Sequence, residues 1–167
     1  MPIMIKQGDI TREKVDVVVN AANTRLAGGG GVDGAIHRAA GPSVMEECRK
    51  IGGCPTGQAV ITNAGNLPAK KIIHTPGPVW SGGNKGEAGL LEACYRNSFL
   101  LAREYGLKSI AFPAISTGVY GYPIKEAARI ALGVGKEFEK DFDEVRFICF
   151  SERDCEVYQK VWNESAD

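Results

Sequence analysis

Three observations place this sequence in the α/β class, as a three-layer α/β/α fold around a central mixed sheet. The consecutive valines of the run Val15 to Val19 lack polar alternation, as expected of a strand covered on both faces. Apolar strand-like segments alternate along the chain with segments of helical periodicity, which puts helices on both sides of one sheet. Five glycines, Gly28, Gly29, Gly30, Gly31 and Gly34, fall among seven residues between the valine run and a helical pattern carrying Ile36, Ala39 and Ala40. Glycine loses more conformational entropy on ordering than any other residue, so this density points to close approach of a ligand to the backbone.

Taken in order, Ile3 to Lys6 reads as a short strand ending at Gln7-Gly8-Asp9, and the central strand follows. The helix after the glycines stops at Gly41-Pro42. A second helical piece carries Val44, Cys48 and Ile51 on its inward face before Gly52-Gly53 ends it. Ala59 to Thr62 and Lys71 to His74 are strands whose short connection through Gly65-Asn66-Leu67-Pro68 favours antiparallel pairing, so the sheet is mixed. After the loop Pro76 to Lys85, a helix expected to be second in length runs from Glu87 to Gly106. Ser109 to Phe112 is a strand, Pro113 to Gly121 a loop, and Pro123 fits a first helical position. Ile124, Ala127, Ala128, Ala131, Val134 and Phe138 mark the buried face of that helix. Val145 to Phe150 is the last strand, and Val157, Tyr158, Val161 and Trp162 face inward from the last helix.

A chain of 167 residues with 44% hydrophobic content reads as one domain spanning 1–167. Twenty basic and twenty acidic residues give a formal net charge of 0, which disfavours nucleic acid as the main partner and makes any anion site local. Five cysteines without a C-x-x-C pair fit reduced thiols and a cytoplasmic location. With only His37 and His74 and no paired thiol spacing, no metal is expected. Neither a secretory apolar segment nor a membrane span is present in the sequence.

The glycine run is neither a Rossmann fingerprint nor a Walker loop, because G-x-G-x-x-G spacing and a closing Gly-Lys-Ser/Thr are both missing. A strand-to-helix turn still offers an anion the unpaired N–H groups and positive dipole end of the helix. A second glycine-bearing turn of this kind, Ser116-Thr117-Gly118-Val119-Tyr120-Gly121, follows the strand at Phe112.

Taken together, GDIT (Gly8 to Thr11), NAAN with GGGGVDGAIH (Asn20 to His37), CPTG (Cys54 to Gly57), LPAK with IHTPGP (Leu67 to Pro78) and FPAISTGVYGYP (Phe112 to Pro123) resemble the macro domain family, most closely its MacroD type. The resemblance covers nearly the whole chain. It implies ADP-ribose binding, removal of mono-ADP-ribose from acidic side chains of proteins, and deacetylation of O-acetyl-ADP-ribose, without a cofactor. The alternatives on the same fold are a non-catalytic ADP-ribose reader and a phosphatase acting on ADP-ribose phosphate.

On this resemblance the catalytic pair is Asn23 and Asp33. Asn23 can donate to and accept from ribose hydroxyls. Asp33, near a helix start, is either a base, a group that orients water, or a simple helix cap. The resemblance implies substrate contacts from Asp9, Ile10, Ala22, Gly30, Gly31, Val32, Ser116, Thr117, Gly118, Val119, Tyr120 and Phe150. Asp9 would accept from the adenine amino group, its bland alternative being a turn residue. Tyr120 would pack by the distal ribose. Phe150 would stack on adenine, although a strand-terminal aromatic is by itself more often core. The family pattern has Asp after that aromatic, where this chain has Ser151. His37 and His74 read as hydrogen-bonded structural residues, and Cys54 and Cys149 as small packing residues.

Overall fold

In the computed structural model, which describes residues 2–165, six strands form one sheet in the order β1-β6-β5-β2-β4-β3. The strands are β1 (Ile3–Gln7), β2 (Val17–Ala22), β3 (Val60–Asn63), β4 (Lys71–Pro76), β5 (Ser109–Phe112) and β6 (Glu144–Cys149). All neighbouring pairs are parallel except β3 with β4, so the expected mixed sheet is present. Five α-helices cover it: α1 (Gly31–Ala40), α2 (Pro42–Ile51), α3 (Glu87–Glu104), α4 (Ile124–Phe138) and α5 (Glu152–Ser165).

Side-chain alternation along β2 divides the core into two. Val18 and Ala22 face one side with Ile72, Ala111 and Ile148, against Ile36 and Ala40 of α1 and Val44 and Cys48 of α2. Val17 and Val19 face the other side with Ile73, Ile110, Phe112 and Phe147, against α3, α4 and α5. Both faces of every central strand are therefore covered, which is why the valine run shows no polar alternation. Among the described residues no helix is long and apolar enough to cross a membrane.

Several boundaries differ from the sequence expectation for physical reasons. β2 runs on to Ala22, because Asn20, Ala21 and Ala22 continue the parallel ladder opposite His74, Thr75 and Pro76 of β4. Ile51 is 39% exposed in the last turn of α2, just before the left-handed Gly52 cap, and Val44 and Cys48 hold the inward face with Met45 packed beside them. Pro123 precedes α4 as its cap residue with φ −58°, and the helix begins one residue later. α3, at 18 residues, is longer than α4 at 15. Trp162 is only half-buried and lies under the Lys136 ammonium, 5.0 Å from its ring centroid.

The chain reaches β2 from the edge strand β1, then builds β4 on one side of β2 and β5 on the other. A crevice outside the carboxyl ends of β2 and β5 is the outcome of such a reversal. The loop after β4 is tied to the loop after β5. There the Glu87 carboxylate accepts from the N–H groups of Ser81 (2.8 Å), Gly83 (3.0 Å) and Lys85 (2.7 Å), and Trp80 N–H donates to Tyr120 O at 2.9 Å. Burial works to raise the Glu87 carboxyl, but backbone N–H donors outweigh it and bring it down to about 2. A carboxyl held below its unfolded value stabilises the fold above that value, and the contribution is lost as pH falls through the folded one. Glu87→Gln should therefore lower the Tm at pH 7, and the gap to the parent should close as pH falls from about 4.5 toward about 2; parallel melting curves across that range check it.

Candidate functional site

The residues expected at the site emerge from the carboxyl edge of the sheet. Asp9 follows β1, Asn23 and the glycines follow β2, Ser116 to Tyr120 follow β5, and Phe150 follows β6. Gly8 N–H donates to Cys149 O at 3.1 Å, which sets Asp9 and Phe150 side by side at the ends of adjacent strands. Phe150 is 92% exposed. The core reading of this aromatic is thereby overturned, because β6 ends one residue before it and its ring leaves the sheet. Ser151 has a local reason to be serine, since its hydroxyl accepts from Asp154 N–H at 3.1 Å and caps α5.

Asp9 does what a turn residue does. Its carboxylate accepts from Thr11 Oγ1 (2.6 Å) and Thr11 N–H (3.0 Å), capping the 3-10 turn Ile10–Arg12, and these bonds, the hydroxyl first, hold its carboxyl below the usual range. Ile10 and Ala22 are buried beneath the crevice, and Val32 is half-buried at the start of α1.

Gly30 caps α1, which leaves Asp33 in the first turn rather than at the cap. The N–H groups of Gly31, Val32 and Asp33 have no carbonyl one turn back, as at any helix start, and so remain available as donors. Close packing lets the glycine loop lie over them. A methyl group on Gly34 would overlap the Gly29 carbonyl oxygen, so only glycine fits there.

Across the crevice, Ser116 adopts φ +67°, a left-handed conformation that costs a non-glycine residue about 1–3 kcal/mol. Its Oγ is buried and without a partner among the described residues. Gly77 makes this loop possible, since a methyl group on it would overlap Ser116 Oγ. Thr117 turns the chain by bonding Ala114 O with both N–H and hydroxyl (3.3 and 2.8 Å). Gly118 and Val119 are exposed, Val119 fully, and Tyr120 is half-buried. Neither the glycine run Gly28 to Gly31 nor Ser116 to Gly121 contains a Lys or Arg, and Arg25, earlier in the first loop, is exposed.

Asn23 and Asp33 meet at Gly29. A methyl group placed on Gly29 would lie 3.6 Å from Asp33 Oδ2 and 3.9 Å from Asn23 Nδ2. Asn23 also braces the loop: its Nδ2 donates to Gly28 O (2.8 Å) and its Oδ1 accepts from Ala27 N–H (3.1 Å), leaving one amide proton for a ligand. Asp33 is only 6% exposed. Its Oδ1 accepts from Asn20 Nδ2 at 2.8 Å and lies 3.3 Å from His37 Nε2.

Sequence reading took His74 as a hydrogen-bonded structural residue, but it did not join His74 to Asn20 and Thr62 beneath this pair. Asn20, fully buried, lies opposite His74 in the ladder, and its Nδ2 is also 3.1 Å from His74 Nδ1. His74 Nε2 is 2.9 Å from Thr62 Oγ1. Burial, with a lesser effect from His37, pulls His74 down to about 4, so the ring is neutral. The only signal in the sequence is an amide directly after a wholly apolar run. His37, Cys48 and His74 also bring ligand atoms within 4.8 Å of one another, a potential metal set drawn from α1, α2 and β4 that residue spacing could not reveal. Both nitrogens of His74 are already hydrogen-bonded, and burial pushes the Cys48 thiol up to about 11. Burial likewise raises Cys54 to about 11 and Cys149 to about 12, which keeps both as inert thiols.

Known proteins resemble this chain over nearly its whole length. The O-acetyl-ADP-ribose deacetylase of Escherichia coli (strain K12) is 51% identical over 172 residues, covering 99% of this chain and 97% of its own. A macro domain-containing protein of Chlorobaculum tepidum is 59% identical over 158 residues, covering 93% and 92%. Among solved structures, the Oceanobacillus iheyensis macrodomain with ADP superposes with TM-score 0.90 at 47% identity, covering 95% of this chain and 88% of that one. The Trypanosoma brucei macrodomain in complex with ADP-ribose gives TM-score 0.90 at 45% identity, covering 95% and 68%. The Macro domain family model matches residues 19–131, and with these relatives it establishes that the chain belongs to the macro domain family.

Proposed function

We propose that this protein binds ADP-ribose and hydrolyses esters of it, deacetylating O-acetyl-ADP-ribose and releasing mono-ADP-ribose from Asp and Glu side chains. The observation that carries the reading is the Asp33 carboxylate set beside Asn23 at the base of the glycine loop. A binding module needs the two backbone loops but has no use for a carboxylate, with one oxygen unbonded, close to an anionic ligand. The relatives named O-acetyl-ADP-ribose deacetylase, at about half identity over the full length, support the same reading.

The diphosphate is taken to lie between the start of α1 and the Ser116 to Tyr120 loop. Backbone N–H groups and helix dipoles replace basic side chains there, in keeping with a neutral chain. Asn23 holds the distal ribose with its remaining amide proton, and Tyr120 packs beside that sugar. Asp9 and Phe150, neighbours at the ends of β1 and β6, take the adenine, with Ile10 and Ala22 beneath. Asp33 Oδ2 orients or deprotonates the attacking water. Hydrolysis adds one water across the ester and yields a carboxylic acid and ADP-ribose, whether attack falls on the acyl or the anomeric carbon.

If the exposed Phe150 ring is the adenine platform, Phe150→Ala should weaken ADP-ribose binding by roughly 1–3 kcal/mol, the usual scale for base–aromatic stacking. Its Tm should stay at the parental value, as expected for a side chain outside the core. Calorimetric titration checks both, and unchanged affinity removes Phe150 from the site.

Product analysis on O-acetyl-ADP-ribose, an ADP-ribosylated glutamate peptide and ADP-ribose phosphate tests the activity itself. Turnover of the two esters should persist in excess chelator and fall at least about tenfold in Asp33→Ala, with ADP-ribose affinity much less affected. Phosphate release without ester cleavage would identify a phosphatase, and binding without any turnover a reader. In water enriched in oxygen-18, label in the released acid marks acyl attack, and label in the ribose marks anomeric attack.

A further inference from the structure

The hydrogen-bond donors and acceptors around Asn20 permit one assignment of protons. An ionised Asp33 only accepts, so Asn20 must turn its nitrogen to Oδ1, 2.8 Å away. That same nitrogen faces His74 Nδ1 at 3.1 Å, which must therefore accept the second amide proton. A neutral ring then carries its proton on Nε2, directed at Thr62 Oγ1 (2.9 Å), while the Thr62 hydroxyl proton goes to Asn63 O (2.9 Å). Every proton in the series has one acceptor. Flipping the amide would set its oxygen against the carboxylate, and the present orientation persists although Asn20 Oδ1 is buried with no partner among the described residues.

The consequence lies at Asp33. Oδ1 takes Asn20 Nδ2 and the looser His37 Nε2, whereas Oδ2 is the oxygen that faces Gly29 and Asn23. We propose that Asn20 and His74 are positioning residues for Asp33, the imidazole fixing the amide and the amide fixing the carboxylate so that Oδ2 alone is presented to substrate. This rests on the reading of Asp33 given above. Neither residue reaches the crevice, since both are fully buried, on β2 and β4 under α1 and α2. A series that ends on a carboxylate oxygen places that carboxylate by hydrogen bonds rather than by packing. Such a carboxylate keeps one rotamer while the glycine loop above it adjusts to the ligand.

The test uses Asn20→Leu, His74→Leu, His74→Asn and Asp33→Asn, with kcat and KM on O-acetyl-ADP-ribose, the Kd of ADP-ribose, and melting curves. Asn20→Leu and His74→Leu should lower kcat about tenfold or more while KM and Kd stay within about threefold, because the binding loops are untouched. His74→Asn keeps an acceptor near the position of Nδ1 and should restore kcat to within about threefold of the parent. Parental kcat in the folded leucine variants, losses of kcat and affinity in parallel, or His74→Asn no better than His74→Leu would each overturn the positioning role. Asp33→Asn separates the two claims. If it turns over at the parental rate, the reading of Asp33 falls and the positioning role with it; if it is slow while Asn20→Leu is fast, only the positioning role falls. Should the leucine variants not fold, nitrogen-15 NMR of the parent decides. Nδ1 of His74 bare and hydrogen-bonded to the Asn20 amide is the expected result, and a proton on Nδ1 overturns the assignment.

Discussion

In the proton assignment proposed above, both protons of the Asn20 amide are engaged inside the protein, one on Asp33 Oδ1 and one on His74 Nδ1. This single group ties the central strand to the first turn of α1 on one side and to β4 on the other. It does so at the carboxyl end of β2, where a polar side chain would otherwise have no place among valines that are wholly buried. The amide oxygen has no partner among the described residues, and an unpaired buried oxygen costs about 1–3 kcal/mol. A core optimised for stability alone would place an apolar residue there. In the proposed role, the amide's return is an Asp33 carboxylate held in one orientation at the base of the glycine loop.

The rest of the site follows from the same edge of the sheet. Reversal of strand order around β2 opens a crevice between the loops after β2 and β5, and each loop leads into a helix start. In the proposed site, the start of α1 and the backbone of the loop after β5 would hold an anion on a chain of zero net charge without a basic patch. The left-handed Ser116, admitted by Gly77, is strain concentrated at that same place. Glu87 stands behind it, gathering three N–H groups of the loop that is tied to Tyr120. Residues far apart in the sequence therefore act on one crevice edge.

Much of the architecture was legible because burial on both faces, helical spacing and glycine placement are local signals. The valine run, the glycine turn into α1 and the short β3–β4 connection each carry their meaning within a few residues. What escaped was set by tertiary pairing. β2 continues through Asn20 because β4 supplies its ladder, and no apolar pattern marks a buried amide whose partners come from α1 and β4. The gathering of His37, Cys48 and His74 escaped for the same reason, whereas an outward-facing Phe150 ring was expected only through family resemblance, because its direction depends on where β6 ends. Asn23 and Asp33 were singled out only through family resemblance. Their arrangement, with Asn23 bracing the loop and Asp33 Oδ2 without a hydrogen-bond partner among the described residues, could not be read from their spacing.

A crystal structure of the protein with ADP-ribose bound tests the central claim most directly. The distal ribose should lie within hydrogen-bonding distance of Asp33 Oδ2 and Asn23 Nδ2, with Asn20 Nδ2 still on Asp33 Oδ1 and the adenine against Phe150. A distal ribose remote from Asp33, or an Asp33 side chain turned away from Asn20 to reach it, would contradict the claim that a carboxylate fixed from within the core is what the fold presents to its substrate.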